Sequence, residues 1–175
     1  MTPESRFVEL DKAQHDRASF DCGIQELNDF IRRSAARHRE AGVSKTMVLP
    51  AKASRDDKAG ICAYYTLSHT QIERETLPPA LAKKLPRYPV PVMLIAQLSV
   101  HKEAQGLGLG KVTLIRALRH CFEINAHLPS YAVVADALGE GVKGFYDQYG
   151  FQELDRHNNR IRPYLSMKTV AELFS

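Results

Sequence analysis

Three glycines at two-residue spacing, Gly106, Gly108 and Gly110, stand between a nearly all-apolar run and a helical pattern. Glycine weakens a helix start by about 0.5–1 kcal/mol in backbone entropy, so three of them there need another reason. The first backbone N–H groups of a helix lack an internal acceptor and carry the positive end of its dipole. Glycines leave those groups bare, so an anion, above all a pyrophosphate, can come close. Gln105, Gly106, Leu107, Gly108, Leu109 and Gly110 therefore form a candidate phosphate cradle. Lys111 either adds a cation to it or is a solvated helix residue. The loop is not a P-loop, because Gly-x-x-x-x-Gly-Lys-Ser/Thr is not met, and its spacing is not that of a dinucleotide fingerprint. A tight strand-to-helix turn would use the same residues.

Cations gather in a second place. Residues 31–45 hold Arg32, Arg33, Arg37, His38, Arg39 and Lys45. Arg32 and Arg39, seven apart, would share a helix face opposite Leu27 and Ile31. That face is either a solvated surface or one that contacts nucleic-acid phosphates. Residues 156–164, RHNNRIRPY, are a second basic stretch. His69 and His101 fall near strand ends, within reach of a substrate. His120, Cys121 and His127 match no common metal spacing, and Cys121 lies on an apolar stripe, so no metal is expected. The three cysteines, Cys22, Cys62 and Cys121, form no Cys-x-x-Cys pair and read as reduced thiols of a cytoplasmic protein.

These groups need a framework. The 175 residues, 44% hydrophobic and 25% charged, are enough for one domain over 1–175 with its own core. The longest apolar stretch, near residues 90–96, is too short to span a bilayer, and MTPESRFVEL has no secretory pattern. Net charge is +4, compatible with an anionic partner. Strands are expected at 7–10, 45–53, 60–68, 92–100, 131–138 and 161–167, with a polar turn at 54–58. Helices are expected at 23–39, 112–124 and 141–149, the last closed by Gly150 in a left-handed cap. The Pro-rich stretch 77–91 is a connection holding at most one short helix. Strand, helix and strand over 92–138 imply a right-handed parallel crossover.

Two stretches carry a resemblance. Gln105 to Gly110 fits the Gln/Arg-x-x-Gly-x-Gly/Ala signature of the GNAT family of N-acetyltransferases, and FYDQYGF at 145–151 resembles that family's Phe-Tyr-x-x-x-Gly-Phe. FDCGIQELNDFI (20–31), AYYTLS (63–68), QLSVHKEAQGLGLG (97–110) and VVADAL (133–138) occur in the same order as in the acetyltransferase toxins of bacterial toxin–antitoxin pairs. The resemblance implies an α/β (α+β) GNAT fold. That fold has a mixed central sheet of about six to seven strands, splayed into a V between the fourth and fifth, and flanked by about four helices. Many relatives carry Arg where this chain has Gln97 and Asp where it has His101.

By the same resemblance acetyl-CoA lies in that V, its pantetheine arm paired with the backbone of Leu98, Ser99 and Val100, its pyrophosphate on Gln105 through Gly110 beside Lys111. Tyr146 matches the family's tyrosine and would protonate the leaving thiolate, with Tyr149 as the rival donor. Phe145 and Phe151 are expected in the core. The acceptor would be the α-amino group of aminoacyl-tRNA, held through Arg32, Arg33, Arg37, Arg39 and Lys45, and its acetylation would stop translation. A free α-amino group has a pKa of about 7.7–8.0, and a neighbouring ester lowers it, so this amine needs no strong protein base. The implied partners are a ribbon-helix-helix antitoxin, promoter DNA bound through the complex, and a second copy of the chain. Two other readings keep the same coenzyme site: acetylation of a small-molecule or protein amine, and a non-catalytic acyl-CoA-binding protein.

Overall fold

The computed structural model describes residues 1–52 and 57–175. The strand end expected at Ala53 and most of the turn expected at 54–58 lie outside the described residues. The chain falls into two compact units, Met1–Ser68 with Gln97–Ala117 and His69–Ala96 with Leu118–Ser175.

The first unit opens with β1 (Val8–Glu9), β2 (His15–Asp16), α1 (Gln25–Asp29), α2 (Ala35–Glu40), β3 (Lys45–Pro50) and most of β4 (Ala59–Ile72). β3 runs antiparallel to β4, with Val48 opposite Tyr64, and β1 adds antiparallel to β3. β2 runs parallel to the start of β4, His15 opposite Ala59. The hydroxyls of Thr46 and Thr66 meet across the β3–β4 ladder at 2.8 Å, so the two buried polar groups satisfy each other. Phe20, Ile31, Ala35, Val48, Ile61 and Tyr64 form one core cluster. The Tyr64 hydroxyl donates to the Leu27 carbonyl at 2.6 Å, tying helix to sheet. The single helix expected at 23–39 is helical from 25 to 40, but Phe30–Ser34 is a π-helical segment between α1 and α2. Such a turn holds one more residue than an α turn and shifts the side-chain phase.

The second unit contains α3 (Pro79–Ala82), the start of β5 (Val90–Val100), the end of α4 (Leu109–Asn125), and then β6 (Ala132–Ala135), β7 (Ala137–Leu138), α5 (Glu140–Asp147), β8 (Gln152–His157), β9 (Arg160–Ser166) and α6 (Met167–Phe174). β5 and β6 are parallel, Met93 opposite Val133 through Ile95 opposite Ala135, as the expected crossover requires. β6 and β7 both pair antiparallel with β9 in one register, Val134 opposite Tyr164 and Ala137 opposite Ile161. The strand expected at 131–138 is thus interrupted at Asp136, whose N–H reaches the Ile95 carbonyl at 3.3 Å. The β5–β6 ladder ends at Ile95 and Ala135, while β7 stays with β9. Ile72, Leu77, Val90, Val92, Ala132, Val134, Leu154 and Tyr164 form the core here.

Among the described residues there are nine strands, against six to seven expected. The additions are the two-residue β2, the division of one strand into β6 and β7, and β8, whose sequence QELDRH is mostly polar because one face meets water. α6 was also not expected, although Met167 and Val170 recur at helical spacing and Ser166 caps its start by accepting from the Thr169 N–H at 3.2 Å. Among the described residues no helix is long and apolar enough to cross a membrane.

Candidate active site

β5 ends at Val100, and the His101 N–H closes it onto the Cys62 carbonyl at 2.8 Å. A single 3-10 turn, Lys102–Ala104, follows, and then the glycine loop. The Gln105 N–H is directed to the Lys102 carbonyl at 3.4 Å and the Val112 N–H to the Gly108 carbonyl at 3.3 Å. Among the described residues, the backbone N–H groups of Gly106 through Lys111 have no acceptor. The bare amides therefore begin at Gly106 rather than at Gln105, and they end in the first turn of α4. Gly106 and Gly108 have φ of +84° and +76°, and Leu107 between them does not. Alternation of this kind turns successive N–H groups toward one side, the concavity that holds phosphates. A Cβ at either glycine would meet nothing within 4 Å, so the glycines serve backbone conformation and not room within the chain. Leu109 is a buried anchor packed with Leu49, Cys62, Ala63 and Ala104, whereas Leu107 is exposed. Lys111 is exposed on α4. A loop of this kind fits a diphosphate. Leu98, Ser99 and Val100 lie on β5 ahead of it, and the Ser99 hydroxyl and the Gln97 Oε1 are buried without a hydrogen-bond partner.

The loop is held from behind by residues 20–28. Lys102 donates its Nζ to Asp21 Oδ2 at 2.7 Å and its N–H to the Asp21 carbonyl at 2.9 Å. The other carboxylate oxygen of Asp21 accepts from the Gly23 N–H at 2.9 Å and from Asn28 Nδ2 at 3.0 Å. Asn28 returns a bond from the Cys22 N–H to its own Oδ1 at 2.8 Å. These donors, Lys102 first, hold the Asp21 carboxyl well below the usual carboxylate range. Gln105 donates its side-chain amide to the Val100 carbonyl at 3.0 Å and to the Cys22 carbonyl at 3.4 Å, so this side chain braces the loop. His101 is also structural. Its Nδ1 accepts from the Glu103 N–H at 3.1 Å, which leaves the proton on Nε2, 3.3 Å from the Ser19 carbonyl. Its ring packs edge-on against Phe20 at 5.5 Å. The brace was not read from the sequence, although the polar residues Asp21 and Asn28, seven apart around a glycine, were its signal.

In the second unit Tyr146 sits on α5 and is buried, 2% exposed, between Phe145 at 5.3 Å and Phe151 at 5.1 Å. Among the described residues its hydroxyl has no hydrogen-bond partner. Burial pushes its phenol well above the ordinary value, and the negative charge of Asp136 adds to the rise. The group stays an acid through the neutral range. Asp136 is gripped by Arg160, Nε to Oδ1 at 3.2 Å and Nη2 to Oδ2 at 2.8 Å. Tyr149 is half-buried in the turn after the same helix, against Phe145 at 5.3 Å. Phe151 is buried and Phe145 half-buried. α5 ends at Asp147, two residues short of the expected 149, with Gln148 as its cap, and Gly150, with φ of +87°, closes the turn that follows.

The basic residues of 31–45 part company. Arg32, on the π segment, is half-buried, donates to the Phe20 carbonyl, and has its Nε buried without a partner. It does not share the exposed setting of Arg39. Arg39 and Lys45 both face Glu9, at 3.2 and 3.9 Å. Arg33 and Arg37 are exposed. In the second basic stretch Arg156 pairs with Glu140 and Glu153, and Arg162 with Asp155. Burial pushes the Cys121 thiol up to about 12. Among the described residues no group of three or more His, Cys, Asp or Glu side chains is placed to hold a metal ion.

Amides arrayed for a diphosphate, and a phenol kept in its acid form, are what acyl transfer from a coenzyme thioester requires. Residues 44–151 match the model of the acetyltransferase (GNAT) family, and the chain belongs to that family. It is 28% identical over 137 residues to a tRNA-acetylating toxin of Mycobacterium tuberculosis, covering 78% of each chain. It is 26% identical over 177 residues to a probable toxin TacT of Sinorhizobium fredii, covering 96% of this chain and 94% of that one. A crystal structure of a tyrosine-to-phenylalanine mutant of KacT superposes with a TM-score of 0.86 at 27% identity, over 97% of this chain and 98% of the other.

Proposed function

We propose that this chain, acting as one GNAT domain over residues 1–175, transfers acetyl from acetyl-CoA to the α-amino group of aminoacyl-tRNA and so blocks translation. The observation that carries the reading is the run of acceptor-free amides from Gly106 to Lys111, braced through Lys102 by the Asp21 segment. Relatives named as tRNA-acetylating and TacT toxins over most of their length support the choice of acceptor.

Bound acetyl-CoA supplies the activated acetyl group. Gly106 through Lys111 hold its pyrophosphate, and the backbone of Leu98, Ser99 and Val100 pairs with its pantetheine arm as an added strand does. A strand N–H polarises the thioester carbonyl. The neutral substrate amine forms the new carbon–nitrogen bond and releases its surplus proton to solvent, the carbon–sulfur bond breaks, and Tyr146 protonates the sulfur that leaves. Arg33 and Arg37 offer exposed cations for tRNA phosphates, with the Arg37 Nε anchored on the Arg33 carbonyl at 2.9 Å. Arg39 and Lys45 reach them after release from Glu9, and Arg32 acts from behind. A ribbon-helix-helix antitoxin covers the basic face, the pair binds its promoter, and the enzyme works in the cytoplasm as a homodimer.

The test is mass spectrometry of charged tRNA after incubation with the protein and isotope-labelled acetyl-CoA. The expected product carries one labelled acetyl on its aminoacyl group. Transfer to free amines or peptides with none to charged tRNA would replace this reading with that of an ordinary amine acetyltransferase.

A further inference from the structure

A recess of about 250 Å³ lies in the first unit, lined by His15, Asp16, Arg17, Ala18, Arg32 and Lys58. None of these residues belongs to the glycine loop or to Tyr146. Three are cations and one, Asp16, is an anion, so the lining carries a net positive charge. Asp16 is already committed: its carboxylate accepts from the Ser19 hydroxyl at 2.6 Å and from the Ser19 N–H at 3.3 Å.

The donors are only partly committed, and Lys58 lends its charge to Asp16. His15 is 4% exposed, and its Nδ1 accepts from the Asp11 N–H at 2.9 Å. The ring proton is therefore on Nε2, and that N–H has no partner among the described residues. Burial pulls its pKa down, so the ring is a neutral donor near pH 7. The Arg32 Nε is buried with no partner, while the far end of the same guanidinium is used by the Phe20 carbonyl. Arg17 has one long bond, Nη1 to the Arg32 carbonyl at 3.4 Å. Leaving a buried N–H unpaired costs about 1–3 kcal/mol. One such donor, the Arg32 Nε, beside the unpartnered His15 Nε2–H in a cationic recess with room for several waters, is an arrangement that an oxyanion completes.

We infer that the recess formed by His15, Arg17, Arg32 and Lys58 binds one phosphate group, as a site separate from the coenzyme cradle. Arginine and lysine meet a phosphate with charge and several donors at once. The phosphate comes either from an RNA backbone or from a free phosphate ion, and the chemistry of the recess is the same for both.

The test follows the side-chain N–H signals of His15 and Arg32 by ¹H–¹⁵N NMR, during titration of the full chain with inorganic phosphate at constant ionic strength. Saturable shifts at both signals are expected in the wild type, with at least a fivefold weaker response in Lys58→Glu and in Arg17→Gln. Lys58 is exposed and Arg17 makes one weak contact, so both variants keep the fold. Their acetyl-CoA affinity, read by calorimetry, should stay within twofold of wild type, which separates this site from the cradle. If the natural source is RNA, Lys58→Glu also weakens tRNA binding several-fold and phosphate competes with tRNA. If it is free phosphate, tRNA affinity is unchanged. Absent or non-saturable shifts, or equal shifts in the two variants, overturn the inference whether or not the chain acetylates tRNA.

Discussion

Tyr146 has one property that a surface tyrosine lacks. The residue is buried, its hydroxyl has no hydrogen-bond partner among the described residues, and burial with the charge of Asp136 holds the phenol in the protonated form. Tyr146→Phe should leave acetyl-CoA affinity by calorimetry within twofold and lower the transfer rate by about 10²–10⁴. The pH profile tests the same residue. Activity should rise as the substrate amine loses its proton. A tyrosine at its ordinary value would then impose a falling limb near pH 10, and the upward displacement of Tyr146 moves that limb to higher pH. A rate that declines with a midpoint at or below 10 would contradict its role as the acid. Asp21 runs the other way. Its carboxyl is depressed, so what the carboxylate contributes is present above the usual carboxylate range and lost only as pH falls below it. Asp21→Asn should therefore weaken acetyl-CoA binding at neutral pH, measured by calorimetry, with little change in Tyr146 chemistry once the coenzyme is saturating.

At the scale of elements, the glycines separate into two kinds. Gly106 and Gly108 occupy left-handed backbone, which costs other residues about 1–2 kcal/mol. Gly108→Ala should lower Tm by several degrees and weaken the coenzyme together with it. Gly144 lies within α5 at ordinary helical φ, and a Cβ there meets nothing within 4 Å. Gly144→Ala should stabilise by about 0.5–1 kcal/mol, a small rise in Tm by calorimetry. The loop itself was readable because its glycines stand between two strong patterns. The sense of the glycines was only half readable, since spacing does not say which of them takes positive φ. The π segment at Phe30–Ser34 left no mark in the periodicity, because Ile31 and Ala35 still alternate inward as an α pattern would. That is why Arg32 and Arg39 appeared to share a face. α6 went unseen for a simpler reason: it begins in the residue after β9 ends, and the apolar run of the strand hides its start.

For the molecule as a whole, β5 and the stripe of α4 were readable at nearly their full extent, since burial on both faces leaves a long apolar run, whereas β4 runs on to Ile72, past its expected end at residue 68. Strand ends and short edge pieces were not, because they depend on partners far away in the chain. The net charge of +4 is likewise a property of the whole chain whose placement only the fold reveals. Many of its cations are already paired, and Arg33 and Arg37 stand exposed. On the proposed tRNA substrate, Arg33→Ala and Arg37→Ala should each weaken binding and lower the slope of log K against log salt by about 1. Fluorescence anisotropy across a salt series would measure both.

The brace behind the glycine loop joins Cys22 to Gln105, 83 residues further on. During synthesis the early segment must wait for its counterpart to leave the ribosome, so a product cut short before that point has no seat for the coenzyme. On the proposed acetylation of aminoacyl-tRNA, every unfinished copy is thereby inactive, and a cell whose ribosomes have begun to stall makes incomplete chains that add nothing to the block.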